Sequence, residues 1–233
     1  MKSKKAAGRL PALLPALLLL LLIPAAALPL AGCDAVGSLQ AADQGRPAAR
    51  AQGPHRLWPE RPPAPPEPDE ERRPDGPAGV AGIDVRGGAL RDVRPVDVLR
   101  ADLRSGAARP GDGGELGAAL RGCEDPEAAG CSLRPAHYRD LTGNGRDELI
   151  VGVELPGHRL NLRVYTADDG KLLRIMETTA RVIDVQLTER DLIIQSTTSF
   201  PGTESRDVWT WFPEQQAMVP RLMETVRRPS EPR

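Results

Sequence analysis

The chain has 233 residues, 40% of them hydrophobic, with 31 Lys and Arg against 32 Asp and Glu and a net charge of −1. That balance excludes a general nucleic-acid binder, which carries a basic surplus. The 24 prolines and 23 glycines are unevenly spread, so the core is expected to be local, with room for one domain plus a tail.

Lys2, Lys4, Lys5 and Arg9 open the chain, an apolar stretch runs from Leu10 to Leu30, and Leu30-Ala31-Gly32-Cys33 ends it. A positive start, an apolar middle and small residues at the cut make a secretory signal over residues 1–32. The alternative is an uncleaved membrane anchor, since the stretch is almost long enough to span. Against it, Pro24 and Pro29 break a helix ahead of the cut, and Asp34 follows instead of a positive cluster. The ending resembles the lipobox of bacterial lipoproteins. That resemblance implies diacylglycerol on the Cys33 thiol and a place on the extracytoplasmic face of the cell membrane.

From Cys33 to residue 78 the chain is dominated by Ala, Pro, Gly, Arg and Glu, including the run Arg61-Pro62-Pro63-Ala64-Pro65-Pro66-Glu67-Pro68. Such a run favours extended polyproline II, and it shows no apolar periodicity to bury. It is expected to be a disordered tether that lifts a domain off the membrane. A proline-binding partner is the other reading. His55 and Trp58 stand alone in it and receive no role.

The folded domain is expected over residues 79–226, with order beginning near Val93 and a frayed tail at 227–233. Val96, Leu99 and Leu103 have helical spacing, closed by Gly106 and Pro110. The glycine-rich turn Gly111–Gly114 leads to a second short helix, Glu115–Arg121. Three cysteines in an exported chain leave two once Cys33 is lipidated. Cys123 and Cys131 read as one disulfide outside the cytoplasm, worth on the order of 2 kcal/mol. Two free or metal-bound thiols are the alternative.

After Pro135 the pattern changes to period two. Strands are expected at His137–Leu141, Glu148–Glu154, Leu160–Thr166, Lys171–Glu177, Val182–Leu187, Asp191–Thr197, Asp207–Phe212 and Ala217–Arg221. Turns at Asp168-Asp169-Gly170, Glu189-Arg190 and Pro213-Glu214-Gln215 join them as hairpins. The fold class is α+β: short helices, then an antiparallel β-meander forming a curled sheet or two sheets, with the helices on one face.

The segment Asp140-Leu141-Thr142-Gly143-Asn144-Gly145-Arg146-Asp147-Glu148 runs into the strand Leu149-Ile150-Val151-Gly152. It places side-chain oxygens at Asp140, Thr142, Asn144 and Glu148, and Arg146 can add its carbonyl. Alternating oxygens on a tight loop suit a hard cation such as calcium. The loop resembles the calcium loops of FG-GAP and VCBS repeats, with Thr142 and Asn144 where those carry carboxylates and Glu148 in place of Asp. The resemblance implies a weak, structural calcium site. The alternative is a plain hairpin turning at Asn144-Gly145.

No catalytic constellation is legible: there is no G-x-S-x-G elbow and no HExxH motif, and His55, His137 and His158 stand singly. A role other than catalysis is expected. Trp209 and Trp211 share one face of a strand, which makes either an aromatic platform for a sugar or peptide or a piece of core. As a whole the layout resembles actinobacterial envelope lipoproteins of the CseA type, through Tyr138–Gly152, Val164–Ile175 and Ser205–Phe212. That resemblance implies a negative accessory of the sigma-E envelope-stress system, acting on a sensor kinase's extracellular part. A wall- or polysaccharide-binding module, stabilised by calcium, is the other expectation.

Overall fold

The computed structural model describes residues 53–69, 76–85, 87–106, 112–124, 126, 128 and 130–227. The export signal, Cys33, tether residues 34–52 and 70–75 and the tail beyond Arg227 lie outside the described residues. Among the described residues no helix is long and apolar enough to cross a membrane.

Among the described residues, ten strands form two antiparallel sheets of five. They are β1 (His55–Arg56), β2 (Ala78–Val80), β3 (His137–Arg139), β4 (Glu148–Leu155), β5 (Arg159–Asp168), β6 (Lys171–Ala180), β7 (Val182–Thr188), β8 (Asp191–Thr197), β9 (Thr203–Phe212) and β10 (Ala217–Arg227). One sheet has the order β2-β6-β5-β4-β3 and the other β1-β7-β8-β9-β10. The α+β meander expected from period two is therefore the observed fold, in its two-sheet form. The turns carry the backbone those sequences favour. Between β5 and β6, Asp169 has φ 46° and Gly170 φ 73°, the pair of left-handed residues that matches hairpin twist.

Alternation along β4 explains the layering. Leu149, Val151 and Val153 point to one cluster, which also holds Val96, Val98 and Leu99 of helix α1 (Pro95–Arg104) and Leu116 of helix α2 (Asp112–Ala119). Ile150 points to the other cluster, with Leu162, Val164 and Met176 facing Val185, Leu192, Ile194 and Trp209 across the gap between sheets. Both faces of β4 are thus covered, so its run Leu149-Ile150-Val151 is apolar throughout. The layers are helices, sheet, sheet.

Helix α1 starts on Pro95 at its first turn, where a missing N–H costs nothing, and ends at Ser105. Its buried face carries one acid, Asp102, 0% exposed. Asp102 meets Arg163 of β5 at 2.5 Å and Arg174 of β6 at 3.0 Å, and accepts the Tyr165 hydroxyl at 2.7 Å. Glu177 completes the group, pairing with Arg163 and with Arg174 at 3.0 Å. Two guanidinium groups face two carboxylates, so the charges balance. Burial works against the Arg163 charge, but Tyr165, Glu177 and Asp102 outweigh it and hold its pKa above the ordinary value. Burial also raises the Tyr165 hydroxyl well above its usual range.

Three expectations are corrected. First, residues 53–69 are not a free tether. Leu57, Trp58 and Ala64 are buried, and β1 pairs with β7. The Trp58 indole N–H donates to the Pro135 carbonyl at 2.9 Å, and its ring lies over Gly152, where a Cβ would stand 2.8 Å from it. Arg61, 7% exposed, ties Glu154 of β4 at 2.7 Å to the Val182 carbonyl of β7 at 2.5 Å. Order therefore begins well ahead of Val93. Second, Ala78–Val80 is a strand on the free edge of β6. Third, the second helix begins at Asp112 and takes in Gly113 and Gly114, expected in the turn, while Gly111 lies outside the described residues. Its purpose is visible in Leu116 and Leu120, which fill the cluster beneath it.

Replacing Asp102 by Ala leaves two buried guanidinium groups sharing one carboxylate, so a loss of roughly 3–5 kcal/mol is expected. Urea denaturation of the variant measures it; a loss below about 1 kcal/mol contradicts a central role for this group.

Candidate functional site

The loop between β3 and β4 is closed by its own amides. The Asp140 carboxylate accepts the Gly143 N–H at 2.7 Å and the Gly145 N–H at 3.0 Å. Asn144 Oδ1 accepts the Arg146 N–H at 2.7 Å. Gly143 and Gly145 take φ of 79° and 80°, which only glycine adopts freely. The simple Asn-Gly hairpin is thus replaced by a wider loop, coiled around Asp140.

Glu148 is 1% exposed and turns inward. It accepts the Leu141 and Thr142 amides at 2.7 and 3.0 Å, the Thr142 hydroxyl at 3.2 Å and the Thr166 hydroxyl at 2.8 Å. Burial raises its pKa, and those donors pull it back. Glu148 therefore does not fit the role of an open ligand. The Arg146 side chain lies against Gly88, and the Arg190 guanidinium lies against Gly143, bringing positive charge to the loop. Among the described residues no group of three or more His, Cys, Asp or Glu is placed to hold a metal ion.

Cys123 and Cys131 are joined as a disulfide, with Cα atoms 4.8 Å apart. It closes the chain that follows α2, and Cys123 is part of the core under the helices.

Trp209 and Trp211 share a face, but it is the inner face of their sheet. Trp209 is 4% exposed, and Trp211 is half-buried against the inter-sheet core. An exposed aromatic platform is therefore not present at these residues. The indole N–H of Trp209 is buried with no hydrogen-bond partner among the described residues.

That same inner face holds a feature that period two alone did not reveal. Across β8, β9 and β10, Leu192 stands opposite Trp209, Ile194 opposite Asp207 and Ser196 opposite Ser205. On β10, Pro220, Met223 and Thr225 continue these rows. Toward one end of the sandwich the inward residues change from apolar to polar. Here the sheets part around a cleft of about 370 Å³, lined by Thr178 of β6 and by Ser196, Ser205, Asp207, Trp209 and Thr225. The Ser196 and Ser205 hydroxyls are 2.9 Å apart. Burial raises the Asp207 pKa, and the Ser205 hydroxyl, donating from 3.5 Å, offsets this in part. The cue was present in the alternation Ser205, Asp207, Trp209, Trp211. What was missing was which side of the strand faced in.

Two measurements follow. Asp140→Ala is expected to lower stability by about 1–3 kcal/mol without added calcium, because two amides lose their acceptor. Melting curves with and without millimolar calcium separate the two readings of the loop. A self-closed loop leaves Tm unchanged; the cation-held loop implied by the resemblance raises it. For Asp207 the sign is opposite. Its folded pKa is raised, so its charge opposes folding, and stability falls as pH rises from its ordinary to its raised pKa. Asp207→Asn should therefore raise Tm at neutral pH, by about 1–3 °C, and flatten that part of the pH profile. A lowered Tm contradicts this account.

Compared with known proteins, the chain matches no family model, no curated protein and no solved structure.

Proposed function

We propose that the protein is a lipid-anchored extracytoplasmic binding module, non-catalytic, that serves as a negative accessory of envelope-stress signalling. The observation that carries the binding role is the cleft. A two-sheet core is filled by inward apolar side chains, yet here Ser196, Ser205 and Asp207 occupy inward positions around open space. Placing them there forgoes apolar burial, and a volume of about 370 Å³ lies in the range of small-molecule and peptide sites.

The signalling part of the proposal draws on the resemblance to CseA-type lipoproteins, which supplies its negative sign. Attachment through Cys33 would hold the domain in the layer where a sensor kinase displays its extracellular part. Confinement raises the effective concentration of even a weak contact. In this reading the cleft takes up wall-derived material, and its occupancy alters how the domain meets the sensor.

A wall-binding module without signalling is the second reading, favoured by the same cleft. Envelope-stress promoter activity separates the two when measured in wild type, a deletion strain and Cys33→Ser. Raised basal activity in both mutants supports the tethered negative accessory. Unchanged activity in both, before and after wall-targeting stress, removes the signalling role and leaves the wall-binding module.

A further inference from the structure

The chemistry of the cleft narrows what it can take, given the binding role proposed for it. Among the described residues its walls carry two carboxylates, Asp69 and Asp207, and no Lys, Arg or His. Asp69 is engaged, accepting the Arg181 amide at 2.6 Å. Among the described residues Asp207 has only the long hydrogen bond from Ser205. The neighbouring Arg206 points to the opposite face of the strand and reaches Glu224 instead, at 3.9 Å. A half-buried carboxylate held this way has lost part of its hydration without gaining a counter-charge.

One further group awaits a partner. The Trp209 indole N–H belongs to a side chain more than nine-tenths buried that lines the cleft, and it has no hydrogen-bond partner among the described residues. The rim is apolar: Phe200 and Met223 line the cleft and are 70% and 72% exposed. Large hydrophobic side chains left open at the mouth of a polar cleft provide a surface for an aliphatic stem.

We propose that the cleft binds a short peptide bearing a primary alkylammonium side chain, with the ammonium on Asp207 and its methylene stem between Phe200 and Met223. An ammonium suits the site better than a guanidinium. One carboxylate flanked by the Ser205 and Thr225 hydroxyls offers acceptors in several directions, which a compact three-donor head can use. A planar fork pairs best with both oxygens of one carboxylate, and Asp207 Oδ2 already accepts from Ser205. An amino sugar lacks the stem that the rim would cover, and the one aromatic ring deep in the cleft, Trp209, is 4% exposed and offers no open face for stacking. A peptide carbonyl supplies the acceptor for Trp209.

The test is an amide NMR titration of the protein with three probes: acetyl-Ala-Lys-Ala-amide, the same peptide acetylated on its side-chain nitrogen, and the free diamine cadaverine. The first peptide is expected to shift amides of residues 196–209 and 220–225. The acetylated peptide, which keeps shape and loses charge, should bind about tenfold more weakly or worse. Asp207→Asn should abolish the difference between the two peptides. The comparison of peptides on the wild-type protein does not depend on that variant folding. Equal binding of both peptides overturns the ammonium assignment and leaves the cleft a binding site. Cadaverine binding as tightly as the peptide overturns the peptide assignment. Soluble wall fragments shifting cleft amides when no peptide does overturns this inference alone; no response to fragments or probes overturns the binding role as well.

Discussion

The charged group at Asp102 is the constraint on which the domain's arrangement depends. It joins α1 to β5 and β6 where the helix layer meets the sheet, and it is sealed from water. Apolar contacts between a helix and a sheet tolerate sliding. Two guanidinium groups bridging two carboxylates do not, because a displaced member leaves a buried charge without a partner. The register of β5 against β6 sets the same group: Arg163 stands opposite Glu177, and Tyr165 opposite Arg174. A slip by one residue would turn all of these toward the apolar gap between the sheets. The group adds little attraction beyond what its desolvation costs, but it penalises every other arrangement heavily.

The opposite side of that sheet follows a different rule. Next to the inter-sheet core, polar groups appear at inward positions without full satisfaction: Asp207 lacks a counter-ion among the described residues, and Trp209 lacks an acceptor. The contrast is informative. A chain that pairs four buried charges under α1 leaves one carboxylate without a counter-charge and one indole without an acceptor at the cleft, among the described residues. Unmatched groups at an opening are poised for something that arrives from outside, and they lower the stability of the empty domain.

Much of this fold was legible because strands and turns are local. Alternation in Leu160-Asn161-Leu162-Arg163-Val164 reports a strand, and Asp169-Gly170 reports the turn that follows it. What alternation does not report is the identity of each face. Asn161 and Arg163 alternate with apolar residues, yet both are buried, Arg163 against Asp102 of α1; Trp209, which left platform and core both open, is core. Residues 53–69 were misjudged for another reason. Their composition is that of a disordered linker, and only Leu57, Trp58, Arg61 and Ala64 are deeply buried. A single tryptophan in a proline-rich stretch was the available signal. The loop at Asp140 was legible as a coil of oxygens and glycines, but not as one whose oxygens are taken by its own N–H groups.

The seating of residues 53–69 has a mechanical consequence. Under the proposed anchoring at Cys33, the contour from Cys33 to Gly53 cannot exceed about 70 Å. A pull on such an anchor would reach the domain at β1 and then at Leu57, Trp58 and Arg61. Behind the two-residue edge strand β1, Arg61 grips Glu154 on one sheet and the Val182 carbonyl on the other, so load that passes β1 divides between both sheets. The attachment works as a strain relief, like the clamp where a cable enters its housing.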